Sequence, residues 1–114
     1  IFGDGEQTRD FTYVEDVVRA NLAALDADLD EPGAVINVGS GECTTLNALH
    51  RTMAELLNAD AEPDYAPPRP GDVRHSLAST ERAERLLGHR PSVDWRTGLE
   101  HTLDWYRQSV ASPN

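Results

Sequence analysis

At 114 residues the chain is one domain's worth or less, long enough to bury a modest core. Twenty acidic residues stand against ten basic ones, a formal net charge of −10, which argues against general nucleic-acid or anionic-membrane binding. No apolar run approaches the length of a membrane span, no signal-peptide pattern is visible, and a single cysteine, Cys43, cannot close an internal disulfide; these features fit a cytoplasmic setting. Every basic residue is Arg and Lys is absent. A GC-rich coding bias and a halophilic source both fit, and the acidic excess favours the halophilic one.

In chain order, Asp4-Gly5 is a turn signal, because Gly accepts positive φ without steric cost. Thr8 to Val14 is β-branched and aromatic and predicts a strand, with Arg9 inside it, where its fork can point at an anion. A helix is predicted over 14–27, with Val14, Val17, Val18, Leu22 and Leu25 on one apolar stripe. Glu15 and Asp16 sit in its first turn, where negative charge suits the helix dipole, and Glu15 and Arg19 are spaced as an i,i+4 pair. Asp26 to Gly33 is a polar loop closed by Pro32. Its alternating Asp residues invite a calcium reading, but the sixth and twelfth positions from Asp26 hold Glu31 and Asn37, not Gly and Glu. No metal site is expected there.

Ala34 to Val38 (AVINV) predicts a short strand buried on both faces, of the parallel-sheet kind. Gly39-Ser40-Gly41 follows, and Thr44 or Thr45 should cap a helix over 45–58 that buries Leu46, Leu49, Met53, Leu56 and Leu57. This strand–GSGECT–helix unit imitates a dinucleotide fingerprint, with Asp60 about twenty residues on. The third glycine is replaced by Thr44 and no second strand leads to Asp60, so cofactor binding is not expected at this turn. Glu62 to Ala66 reads as extended. Pro67, Pro68 and Pro70 make 67–72 a stiff loop. Val73 to Ala78 is again extended, and Ser79 or Thr80 should cap a short helix ending at Leu87 with Gly88 just past it. After a loop to Trp95, a last helix over 96–109 should bury Leu99, Leu103, Tyr106 and Val110, and Ser112-Pro113-Asn114 should fray. The fold class is therefore α/β: about four helices with short strands.

Two arginines stand out as chemistry. Arg9 lies in T-R-D-F and Arg69 in P-P-R-P-G-D. A guanidinium binds phosphate oxygens with a planar fork and keeps its charge at any pH. A proline-framed loop would hold Arg69 at low entropic cost, and the two together could clamp a pyrophosphate. Pairing of each with one of the many surface acids is the alternative on residue type alone. His50, His75, His89 and His101 show no zinc-ligand spacing and read as surface residues, and there is no G-x-S-x-G elbow.

The run F-G-D-G-x-Q-x-R-D-F-x-Y-V-x-D-V at residues 2–17 resembles the signature that opens the C-terminal part of extended short-chain dehydrogenases, the NAD-dependent epimerase/dehydratase family acting on nucleotide sugars. N-V-G-S-G at 37–41 and R-x-G-D at 69–72 match the same pattern, and the resemblance covers Ile1 to about Tyr106. It implies that residues 1–114 are the C-terminal substrate-binding part of a longer nucleotide-sugar 4-epimerase or 4,6-dehydratase, whose NAD is bound mainly by an N-terminal Rossmann part. It implies that Arg9 and Arg69 contact the diphosphate of a UDP- or dTDP-sugar, that Asp72 binds the ribose hydroxyls, and that Phe11 and Leu46 line the nucleotide site. Asp16 and Asn37 match the pattern as structural residues. Some members carry a tyrosine four residues after the R-x-G-D aspartate; Ser76 stands there, a departure from the pattern at that contact. The family's Tyr-x-x-x-Lys pair cannot occur in a chain without Lys, so these residues alone are expected not to turn over. A non-enzymatic nucleotide-binding module, or a self-associating one that forms a homodimer through a bare AVINV edge, is the alternative.

Overall fold

The opening turn decides how this chain is put together. Gly5 sits at φ +76°, and a Cβ there would run into the Asn47 amide. That amide donates to the Asp4 carbonyl at 3.0 Å and to Glu6 at 2.6 Å, while the Asn47 backbone N–H donates to the Gly5 carbonyl at 3.0 Å. A turn at the start of the chain is thereby bolted to a helix forty residues on. The structure, a computed structural model, describes residues 1–31 and 33–111. In order they form β1 (Thr8–Arg9), α1 (Val14–Asp26), β2 (Thr44–Thr45), α2 (Leu46–Leu57), α3 (Glu81–Leu87) and α4 (Trp95–Ala111). The architecture is α/β, as the sequence predicts. Among the described residues no helix is long and apolar enough to cross a membrane.

β1 and β2 pair antiparallel, Thr8 opposite Thr45 and Arg9 opposite Thr44. On its other side Thr8 bridges His75 in parallel: its N–H donates to the Arg74 carbonyl at 2.8 Å and its carbonyl accepts from Ser76 at 3.2 Å. Phe2 bridges Ala66 in the same sense, with Gly3 N–H to the Ala66 carbonyl at 2.8 Å. The two extended segments around the proline loop are therefore laid along the first eight residues. β2 runs straight into α2, where the Thr45 hydroxyl accepts the Ala48 N–H at 3.0 Å as an N-cap.

The strand predicted to Val14 stops at Arg9. The Asp10 carboxylate takes the backbone N–H groups of Ser40, Gly41 and Ala78 from the neighbouring segments, so those donors bond a side chain and the ladder ends. The AVINV segment forms no strand, and Val35 is 77 % exposed. A strand buried on both faces needs a neighbour on each edge, and among the described residues none lies beside it. Asn37, expected at a strand end, is exposed.

The helices fall close to their predicted bounds, but their apolar faces are covered far less than expected. On α1 the whole stripe of Val14, Val17, Val18, Leu22 and Leu25 is exposed, Leu25 to 81 %. The buried residues of α1 are Asp16 and Ala20, which face α3 and the loop before α4. On α2 Leu46, Leu49, Met53 and Leu56 are half-buried, Leu57 is exposed and the buried member is Thr52. On α4 Leu103 is buried and Leu99 half-buried, whereas Tyr106 and Val110 are exposed. Gly98 lets α4 approach Tyr13, since a Cβ would lie 2.8 Å from that side chain. The accessible surface is 8073 Å². A monomer of 12.5 kDa is expected to expose about 6,200 Å². The predicted stripes are amphipathic as expected, but among the described residues no layer covers them.

Other differences are local. Arg19 pairs with Asp16, not with Glu15. His89 is buried, not a surface residue, and its N–H donates to Ala83 at 3.3 Å. Gly88 closes α3 at φ +61°, as predicted. The acidic loop is solvated at Asp28 and Asp30, with Glu31 bonded to Arg82 at 2.7 Å. Pro32 and the 112–114 end lie outside the described residues.

Asp16 is the main buried polar anchor, 1 % exposed. Its carboxylate accepts from Ser92 N–H at 3.0 Å and Val93 N–H at 3.2 Å, and holds Arg19. Burial pushes its pKa up, but those amide bonds and Arg19 outweigh it and hold the carboxyl below its usual value. A folded pKa below the unfolded one gives stabilisation that is complete above about pH 4 and is lost as pH falls through the lower folded value. Asp16→Ala strands the Ser92 and Val93 N–H groups, so it should lower stability by about 2 kcal/mol at pH 7. Urea unfolding at pH 7, repeated between about pH 4 and pH 2, should also show a shallower acid loss in the variant than in the parent.

Candidate functional site

Arg9 is carried by β1, where it pairs with Thr44 and follows Thr8, the residue bonded to the 74–76 segment on the other edge. One guanidinium nitrogen donates back to the Thr8 carbonyl at 2.8 Å, and the other bonds the Asp72 carboxylate at 2.6 Å. Arg69 comes from the proline loop, whose turn is closed by Asp72 N–H to the Arg69 carbonyl at 3.2 Å, with Gly71 at φ +79°. Its guanidinium carbon lies 3.7 Å from the centre of the Phe2 ring. Leu46 opens α2, and its N–H donates to the Gln7 carbonyl at 3.3 Å. These elements enclose a cleft of about 410 Å³ lined by Phe2, Gln7, Arg9, Leu46, Arg69, Pro70, Gly71 and Asp72. A second cleft of about 460 Å³ shares Phe2, Gln7, Arg69 and Asp72 and adds Asp4, Pro68 and Arg74.

Four of the five predicted site residues, Arg9, Leu46, Arg69 and Asp72, thus meet in one place. Phe11 does not line that cleft. It lies half-buried beside a separate, mostly apolar gap of about 280 Å³ with Tyr13, Leu49, Trp95 and Leu99. In a continuing strand, residues 9 and 11 would share a face. The ladder ends at Arg9 and Asp10 is drawn to the Gly39–Gly41 turn, so that alternation is lost.

Three lining residues escaped the sequence reading. Phe2 and Gln7 belong to the F-G-D-G-x-Q run, whose Asp4-Gly5 pair signals a turn and gives no sign of a binding role. Gln7 is buried and its amide donates to the Phe2 carbonyl at 2.6 Å. Arg74 stands two residues past Asp72 and pairs with Asp4 at 3.0 Å; that bond lowers the Asp4 pKa and raises that of Arg74. Its signal was a third Arg beside R-x-G-D.

The charges of the two clefts do not cancel. Asp72 holds Arg9 and Asp4 holds Arg74, while among the described residues no carboxylate lies within salt-bridge distance of Arg69. Three guanidiniums against two carboxylates leave a local excess of one positive charge in a chain of net charge −10. The second Asp72 oxygen has no partner among the described residues, which suits a hydroxyl donor. The arrangement can hold a phosphate or diphosphate beside a diol.

The Gly39–Gly41 turn does not fit a dinucleotide. A pyrophosphate there would need free backbone N–H groups. The Asp10 carboxylate already takes the Ser40 N–H at 2.7 Å, the Ser40 hydroxyl at 2.6 Å and the Gly41 N–H at 3.2 Å, and also ties in the Ala78 N–H at 3.2 Å. A Cβ on Gly39 would lie 2.5 Å from that carboxylate, so the glycine serves the close approach of Asp10. Burial raises the Asp10 pKa, and the bonds from Ser40, Ala78 and Gly41 overcome it and hold it low. Among the described residues no group of three or more His, Cys, Asp or Glu could hold a metal ion.

The model of the NAD dependent epimerase/dehydratase family matches residues 1–39. The UDP-glucose 4-epimerase of Mycolicibacterium smegmatis is 39 % identical over 107 residues, covering 94 % of this chain and 34 % of that protein. The human dTDP-D-glucose 4,6-dehydratase is 34 % identical over 119 residues, covering 96 % of this chain and 32 % of that one. A crystal structure of the Thermotoga maritima UDP-glucose 4-epimerase with UDP-glucose matches 96 % of this chain and 35 % of its own, at 44 % identity and a TM-score of 0.88. The Bacillus cereus UDP-glucuronic acid 4-epimerase, in complex with UDP-glucuronic acid and NAD, matches with a TM-score of 0.88 at 34 % identity, over 95 % of this chain and 34 % of that one. Residues 1–39 match the NAD dependent epimerase/dehydratase family, and nearly the whole chain is similar to these relatives, of whose length it spans about a third.

Removing Asp10 frees three amides at once. Asp10→Ala should speed native-state hydrogen exchange at Ser40, Gly41 and Ala78 by about tenfold or more, read amide by amide by NMR. The Arg74 and Ser76 amides, whose neighbourhood is set by Thr8, should change by less than about threefold.

Proposed function

We propose that this chain is the C-terminal, substrate-holding part of an NAD-dependent nucleotide-sugar epimerase or 4,6-dehydratase, and that it grips the diphosphate and ribose of a UDP- or dTDP-sugar. The observation that carries this reading is the meeting of Arg9, Arg69 and Asp72, from positions sixty residues apart, in one cleft with Leu46. Arg69 would offer its open fork to the diphosphate, Arg9 the N–H donors that Thr8 and Asp72 leave unused, and Asp72 would accept a ribose hydroxyl with the oxygen that Arg9 leaves free. Leu46 would give the nucleotide an apolar wall. Phe11, which faces the other gap, would act on this site only through packing.

The contribution to the reaction is positioning. A nucleotide held at its diphosphate leaves its sugar projecting, and the entropy of placing that sugar is spent before any bond changes. NAD would supply the redox chemistry from the rest of the enzyme, consistent with a Gly39–Gly41 turn whose donors are already used. The exposed stripe of α1 and the unpaired AVINV segment are then surfaces for that remainder of the fold to cover.

Titration of UDP onto the chain by calorimetry tests the proposal. Arg9→Ala and Arg69→Ala should each weaken UDP by about tenfold or more, as expected for loss of a charge-assisted bond to phosphate. Equal affinity in either variant removes that residue from the clamp.

The same uncovered surface supports a second reading, self-association of the isolated chain through its exposed apolar faces. Sedimentation equilibrium in high salt should then give a dimer mass, and a strictly monomeric mass would exclude it.

A further inference from the structure

We propose that Phe2 is a positioning residue for Arg69, presenting the guanidinium to a diphosphate by its ring face and leaving the N–H donors unspent. The inference rests on the nucleotide reading above.

Seven of the ten arginines, Arg9, Arg19, Arg74, Arg82, Arg90, Arg96 and Arg107, hold a carboxylate. In a chain with twenty acids that is the ordinary fate of a guanidinium. Arg69 lies over the Phe2 ring at 3.7 Å, in the same clefts as Asp72 and Asp4. The face of an aromatic ring attracts a cation through its quadrupole, without supplying a hydrogen-bond acceptor. A carboxylate partner would have to be displaced before an anion could bind, whereas the ring need not be. Phe2 therefore does what an acid cannot: it holds the charge in place and keeps the fork open.

The ring is itself held. Phe2 bridges Ala66, the last residue before the proline loop, through Gly3 N–H to the Ala66 carbonyl and Ala66 N–H to the Ile1 carbonyl, both at 2.8 Å. The Phe2 carbonyl accepts the buried Gln7 amide at 2.6 Å. From Ala66 the chain passes through Pro67 and Pro68 to Arg69, and prolines fix φ along that path. Platform and guanidinium are thus parts of one stiff frame. A phosphate meeting a pre-placed fork costs less ordering than one meeting a free side chain.

The test compares Phe2→Leu, which keeps an apolar side chain and removes the ring, with Phe2→Tyr, which keeps the ring. The probes are UDP and inorganic pyrophosphate by calorimetry, and the Arg69 side-chain Nε–H resonance by NMR without ligand. Phe2→Leu should weaken both probes alike by about fivefold and abolish the ring-current shift of Arg69. Phe2→Tyr should restore both affinities to within about twofold and keep the shift. Weakening of UDP with pyrophosphate unchanged would assign the ring to the base and overturn the inference. An Arg69 resonance indifferent to Phe2→Leu would overturn it as well. If the parent chain binds neither probe, the nucleotide reading fails, and the Arg69 resonance alone decides whether Phe2 places the guanidinium.

Discussion

The structure depends on the short β1 segment around Thr8 being bridged along both edges. One edge carries the antiparallel pair with Thr45, the other the parallel bridge to His75. Each edge imports a distant segment: α2 with Leu46 on one side, the end of the proline loop with Asp72 on the other. Arg9, the next residue, inherits both neighbourhoods. A ladder only two residues long would be marginal by itself. Here it is buttressed by the Asn47 clasp on the opening turn and by the Phe2–Ala66 bridge.

Two aspartates near the start of the chain perform the same physical task at different places. Asp10 gathers the Gly39–Gly41 turn and Ala78, and Asp16 gathers Ser92 and Val93. Each replaces a missing strand or helix contact with backbone N–H groups aimed at a carboxylate, bonds stronger than neutral ones. These acids hold loops that apolar burial does not, because little apolar side chain is buried: Ala20, Ala83 and Leu103 among the described residues. Arg9 immediately precedes Asp10, so the scaffold that orders the Gly39–Gly41 loop also orders the cleft.

The radius of gyration is 17.0 Å. A compact domain of 114 residues is expected near 13 Å. Together with the surplus of exposed surface, this identifies a molecule organised by hydrogen bonds around a site more than by burial around a core.

Much was legible from sequence alone, and for a common reason. The bounds of the helices follow from apolar periodicity, caps and terminal glycines, all of which are properties of adjacent residues. The family follows from a run of residues at 2–17, and the pairing of R-D-F with R-x-G-D in one site follows from recognising both. What depends on distant partners was not legible. AVINV is patterned for a buried strand and pairs with none among the described residues; the α1 stripe is patterned for a core and is exposed. Phe11 left the cleft because Asp10 bonds across thirty residues to Ser40 and ends the ladder. Sequence determined which faces could be buried and which guanidiniums could bind an anion. Tertiary structure decided which were covered, that Arg69 stayed free of acids and which ring it lies on, because those outcomes turn on contacts between residues that sequence does not place side by side.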